Sequence, residues 1–132
     1  MKTRYWTSAL IALAFAGAAN AQVYLCDVTN PSPDGWMGSK MYFEIKDGTA
    51  IAYDPYIHKI HDQPIEVKLK DAGEFWKMTW TLRGLSSSNQ GSAGPTKYRV
   101  LVGKTNMKLR INVSLSGYDN SPRGTGVCKL EK

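Results

Sequence analysis

Residues 97–115, KYRVLVGKTNMKLRINVSL, decide the fold. Tyr98, Val100 and Val102 alternate with Lys97 and Arg99, Lys104-Thr105-Asn106 turns the chain, and Met107, Leu109, Ile111, Val113 and Leu115 then alternate with Lys108, Arg110, Asn112 and Ser114. A period of two sends the two sets to opposite faces of a strand. The stretch therefore reads as an antiparallel hairpin with an apolar face and a basic one.

The same period continues upstream. Met41, Phe43 and Ile45 alternate with Tyr42, Glu44 and Lys46, Asp47-Gly48 forms the turn, and Thr49, Ile51 and Tyr53 alternate with Ala50 and Ala52. Asp-Gly favours the two-residue hairpin loop. Ile65, Val67 and Leu69 alternate with charged residues, Asp71-Ala72-Gly73 follows, and Trp76, Met78, Trp80 and Leu82 alternate with Lys77, Thr79 and Thr81. Short strands also fit residues 23–28 and 125–130, and residues 55–63 have room for a single helical turn. Three irregular stretches interrupt the series: Asn30 to Gly35, the low-complexity loop Gly84 to Thr96, and Gly117 to Gly124.

The N-terminal residues read as an export signal. Lys2 and Arg4 precede the apolar run Ala9–Ala19, and Ala19-Asn20-Ala21 supplies small residues for cleavage before Gln22. The run is about half of the roughly 20 residues that a membrane-spanning helix needs. Expected are a signal peptide over 1–21, a single domain over 22–132 without a membrane span, and a periplasmic or secreted location.

Oxidising compartments favour disulfides, so Cys26 and Cys128 are expected to be joined. Their Cα atoms must then lie within about 7 Å, which makes the first and last strands neighbours. The expected fold is all-β, a single antiparallel meander of about seven or eight strands. An up-and-down barrel of the lipocalin-like kind is preferred over a sandwich, because joining first to last strand removes exposed edges.

Charge supplies the functional clue. Residues 22–132 hold fifteen Lys and Arg against eleven Asp and Glu, a net +4. Residues 22–75 carry five bases and nine acids, whereas residues 76–132 carry ten bases and two acids. Lys97, Arg99, Lys108 and Arg110 fall on the polar face of the hairpin and are expected to form a basic patch for an anionic envelope component or an acidic protein. The opposing expectation is a solvated face neutralised by Glu66, Glu44 or Asp71. Nucleic acid is disfavoured by export and by aromatics that fall on the apolar face rather than among the bases.

Those aromatics carry the alternative reading, a pocket near Trp76 and Trp80 for a small apolar ligand; filling the core is the plainer role. An enzyme is the less favoured reading and no cofactor or metal is expected. His58 and His61 could converge on a helical turn, with Asp54 or Asp62 as third ligand, and Ser86, Ser87 and Ser88 lack the GxSxG elbow of a serine nucleophile.

Tyr24-Leu-Cys26, Ile60-His-Asp-Gln-Pro64, Trp80-Thr-Leu-Arg-Gly84, Gly117-Tyr-Asp-Asn120 and Arg123-Gly-Thr-Gly-Val-Cys128 resemble a group of small secreted proteins of α-proteobacteria of unknown function. That resemblance spans most of residues 22–132 and implies an exported β-protein with no activity attached. The chain is more loosely similar to periplasmic lysozyme-inhibitor barrels, but Ser116-Gly117 is followed directly by Tyr118 and that family's Ser-Gly-x-x-Tyr and Trp-x-Lys-Gly elements are absent. No inhibitory residue carries over.

Overall fold

A computed structural model of the chain describes residues 21–29, 36–87, 91–92, 94–115 and 121–131. Residues 1–20 of the expected signal peptide, the expected turn Asn30–Gly35, Ser88 and Gly117–Asn120 lie outside the described residues. Strands β1 (Gln22–Val28), β2 (Lys40–Lys46), β3 (Thr49–Tyr53), β4 (Ile65–Ala72), β5 (Phe75–Leu82), β8 (Thr96–Gly103), β9 (Lys108–Leu115) and β10 (Arg123–Leu130) form a closed barrel. Neighbours run β1-β10-β9-β8-β5-β4-β3-β2 and every adjacent pair is antiparallel. Within the loop expected between residues 84 and 96, β6 (Ser86–Ser87) and β7 (Gly91–Ser92) pair as a separate two-stranded ladder. A helix, α1 (Pro55–His61), joins β3 to β4.

Closure occurs at the β1–β10 seam, where Cys26 stands opposite Cys128 and the two are disulfide-bonded with Cα atoms 3.9 Å apart. The seam also needs Gly126: a Cβ there would come within 2.1 Å of the Asp27 carbonyl oxygen on the adjoining strand.

Tight turns and long connections segregate to opposite ends. Asp47 and Gly48 both have positive φ, 54° and 77°, as a type I′ hairpin requires. That turn, Gly73-Glu74 and Lys104–Asn106 lie at one end. The described residues 36–39, α1 with its flanks and residues 83–85 lie at the other, where Trp36, Met37, Ile57 and Leu85 are buried and cap the core. Tyr98 donates a 2.6 Å hydrogen bond from its hydroxyl to the Trp36 carbonyl, tying this cap to β8.

Inward residues follow the alternation: Tyr24, Phe43, Met78, Trp80, Val100, Leu109, Ile111 and Val113 are buried. On β3 the small set faces in. Ala50 and Ala52 are each 1% exposed, opposite Ile45 and Phe43, while Ile51 and Tyr53 lie on the outer face. Small residues opposite large ones fit the space inside a narrow barrel.

Candidate functional site

The outer face of β4, β5 and β8 concentrates positive charge. Lys68 and Lys70 alternate with the inward Val67 and Leu69, Lys77 with Trp76 and Met78, and Lys97 and Arg99 with Tyr98 and Val100. The register sets Lys68 opposite Thr79 and Thr79 opposite Arg99, and Lys70 opposite Lys77. Lys97 sits one outward position along β8 from Arg99. These five cations and Thr79 line a groove of about 200 Å³.

Of the four bases expected to form the patch, Lys97 and Arg99 lie in this groove. Arg110 faces Leu101 from β9, and Lys108 stands at the β9–β10 side opposite Val127; both are exposed and neither lines the groove. Lys68, Lys70 and Lys77 complete it. Their alternation is visible in the sequence, but their meeting with Lys97 and Arg99 depends on β5 pairing with β8 across the β6–β7 insertion.

Of the carboxylates expected to neutralise this face, Glu66 lies one outward position along β4 from Lys68 but neither lines the groove nor pairs with a described cation, and Asp71 and Glu44 are engaged elsewhere. Asp71 accepts a 2.6 Å charged hydrogen bond from Lys104 Nζ, and that ammonium, with the Gly73 N–H, holds the Asp71 carboxyl below the usual carboxylate range. Glu44 accepts a hydrogen bond from Tyr42 Oη. Among the described residues, none of the five groove cations forms an ion pair.

The two tryptophans expected to flank a pocket occupy packed positions. Trp80 is buried, its ring stacked on Tyr98 at 5.3 Å between centroids and tilted against Phe43 at 6.1 Å. Trp76 lies half-buried near the tight-turn end beneath Lys104, whose Nζ is 4.2 Å from the ring centroid, a cation–π contact. Neither ring lines the basic groove or a second, larger cavity on the other side of the barrel.

His58 and His61 lie on α1, where a spacing of three brings them toward one face. His58 Nδ1 is hydrogen-bonded with Tyr53 Oη and lies 3.4 Å from Asp62 Oδ1. Among the described residues no group of three or more His, Cys, Asp or Glu side chains is placed to hold a metal ion. Asp54 instead caps α1, its Oδ1 accepting from the Ile57 N–H at 2.8 Å. Burial raises the Asp54 carboxyl above its ordinary range, partly offset by the N–H groups of Ile57 and Tyr56. Burial, followed by the Asp54 charge, likewise raises the hydroxyls of Tyr56 and Tyr98.

No helix among the described residues is long and apolar enough to cross a membrane. No protein-family model, curated protein or solved structure matches the chain.

Proposed function

We propose that the chain is an exported binding protein that engages a polyanion through the β4–β5–β8 face. The observation that carries this reading is the groove itself: Lys68, Lys70, Lys77, Lys97 and Arg99 surround Thr79, with no ion pair to any described carboxylate. Like charges directly opposite on neighbouring strands are destabilising, and Lys70 faces Lys77. An anion seated between them removes that repulsion and forms charge-assisted hydrogen bonds with Arg and Lys. Clustered phosphates or carboxylates of an envelope component supply that chemistry; an acidic protein segment is the alternative partner. The export pattern at residues 1–21 and the Cys26–Cys128 disulfide support a periplasmic or secreted setting.

The test is capture of phosphate-rich lipopolysaccharide vesicles by the oxidised protein at low and high salt, beside a variant carrying Lys68→Ser, Lys70→Ser, Lys77→Ser and Arg99→Ser. Binding that weakens steeply with salt and disappears in the variant supports the reading. Salt-independent binding, or equal capture by the variant, overturns it. Capture of an acidic protein but not of vesicles would keep the groove and change the partner.

A further inference from the structure

We infer that the barrel carries a second binding site, a cavity on the outside of β1–β2 beside α1, for a small amphiphile with an apolar body and one anionic group. It lies across the barrel from the basic groove, since β1 and β2 occupy the opposite side of the ring from β5 and β8. Its origin is topological. The last β2–β3 pair is Tyr42 with Tyr53, after which the chain leaves the sheet at Asp54 and enters α1. Met41 and Lys40 continue alongside β1 alone, paired with Cys26 and Asp27. The gap between this part of β2 and the start of α1 is a cavity of about 620 Å³.

Leu25, Met41, Tyr42, Tyr53 and Pro55 give this cavity a mainly apolar wall. Its volume falls in the range of about 300–1,000 Å³ typical of small-molecule sites. Inside the barrel, by contrast, Trp80 is packed among described residues, its ring stacked on Tyr98 and tilted against Phe43. Apolar surface continues outward from the cavity, with Leu25 41% and Val127 52% exposed on adjoining strands β1 and β10. Contiguous exposed apolar surface with a polar rim is the mark of an interaction site.

The charges around the cavity select the ligand. Asp27 and Lys40 are paired with each other at 2.5 Å. His58 Nδ1 is engaged by Tyr53 and Asp62, and the Asp54 carboxyl is buried beneath the helix start. Lys129 stands opposite Leu25 on β10, its side chain 81% exposed and its ammonium 3.7 Å from Glu131. The most exposed charge on the wall is thus positive, held by Glu131 only at 3.7 Å, and it adjoins an apolar surface, a match for an acyl or aromatic carboxylate or sulfonate whose body lies on Leu25 and the two tyrosines.

The experiment is a fluorescence titration of the full oxidised protein with 1-anilinonaphthalene-8-sulfonate, followed by displacement with decanoate or decylamine. Expected are saturable one-to-one binding and displacement by decanoate in preference to decylamine. Loss of the apolar contact in Leu25→Asp weakens the dye by about tenfold or more; Leu25 is an exposed position, and the near-ultraviolet circular dichroism of the variant should match the parent. Lys129→Glu should weaken decanoate and not decylamine. The Lys70→Ser, Lys77→Ser protein should bind the dye as the parent does, which separates this site from the polyanion groove. Absence of saturable binding, indifference to Leu25→Asp, or loss in the Lys70/Lys77 variant overturns the site. Equal displacement by decylamine overturns the assignment of an anionic ligand.

Discussion

Lys70 and Lys77 stand directly opposite one another across the β4–β5 ladder, and neither forms an ion pair with a described residue. A fold selected for stability alone would place opposite charges there, worth about 0.2–1 kcal/mol for a cross-strand pair. Lys77→Glu should therefore raise unfolding stability by a few tenths to about 1 kcal/mol. The gain should shrink with added salt, and polyanion capture should fall. Urea midpoints at two salt concentrations, measured beside vesicle capture, check both. A variant that loses stability and keeps capture would show that these lysines are an ordinary solvated face.

The Cys26–Cys128 bridge closes a loop spanning a sequence separation of 102 across the seam of the barrel. For a loop of about 100 residues the chain-entropy account gives up to about 4.7 kcal/mol, and removing a native disulfide from a small domain costs about 2–5 kcal/mol. The paired variant Cys26→Ser, Cys128→Ser should lose stability in that range while keeping the antiparallel β1–β10 register, which backbone hydrogen bonds and the burial of Tyr24 and Val28 also support. Denaturant unfolding with and without reductant measures the loss. Cross-strand amide contacts between Leu25 and Lys129, read by nuclear magnetic resonance, report whether the barrel stays shut.

Gly126 is the tighter constraint on the same seam. It pairs with Val28, and a Cβ would meet the Asp27 carbonyl oxygen at 2.1 Å and Val28 Cα at 3.0 Å. Both obstacles are backbone atoms, so relief requires separating the strands. Gly126→Ala should cost about 1–3 kcal/mol, the range for overpacking in a well-packed interior, and should raise hydrogen exchange selectively in β1 and β10. Gly48, whose Cβ would meet nothing within 4 Å, offers the contrast: Gly48→Ala is opposed only by its positive φ of 77°.

The period-two pattern made most strands legible, because one face of each strand is buried and the other is not. The cysteine spacing made the closure legible, and the structure has the expected barrel with first and last strands joined. Where the alternation concerned size rather than polarity it was silent. Ala50 and Ala52 face in because Phe43 and Ile45 already fill the space opposite, a fact of three-dimensional packing. Only two of the five groove cations were legible, for a related reason. Lys97 and Arg99 share a hairpin with Lys108 and Arg110 in sequence, yet the pairing of β8 with β5, and of β5 with β4, gives them Lys68, Lys70 and Lys77 as groove partners. The cavity beside Tyr42 and Tyr53 left no pattern at all, because it arises where β3 stops pairing with β2. Asp54, a residue weighed as a metal ligand, is legible afterwards as an N-cap, being an Asp immediately before Pro55 at the first helical position.

Asp54 also sets a pH dependence. Its carboxyl is 4% exposed, and burial raises it above its ordinary value of 3.8. Between the unfolded value and the raised folded one, the folded protein holds the proton that the unfolded chain has released. Stability from this group is therefore complete below about pH 4 and is lost as pH rises through the folded value. Asp54→Asn keeps an oxygen to accept from the Ile57 N–H and removes the titration. Its stability difference from the parent should favour the variant increasingly as pH rises from about 4 toward neutrality. Asp54→Ala removes the cap as well and should cost about 1 kcal/mol, with fraying of α1. Urea unfolding of the three proteins between pH 4 and 7 tests this. Parallel curves for parent and Asn variant would mean that the N–H groups of Ile57 and Tyr56 fully offset the burial, and the raised carboxyl would have to be abandoned.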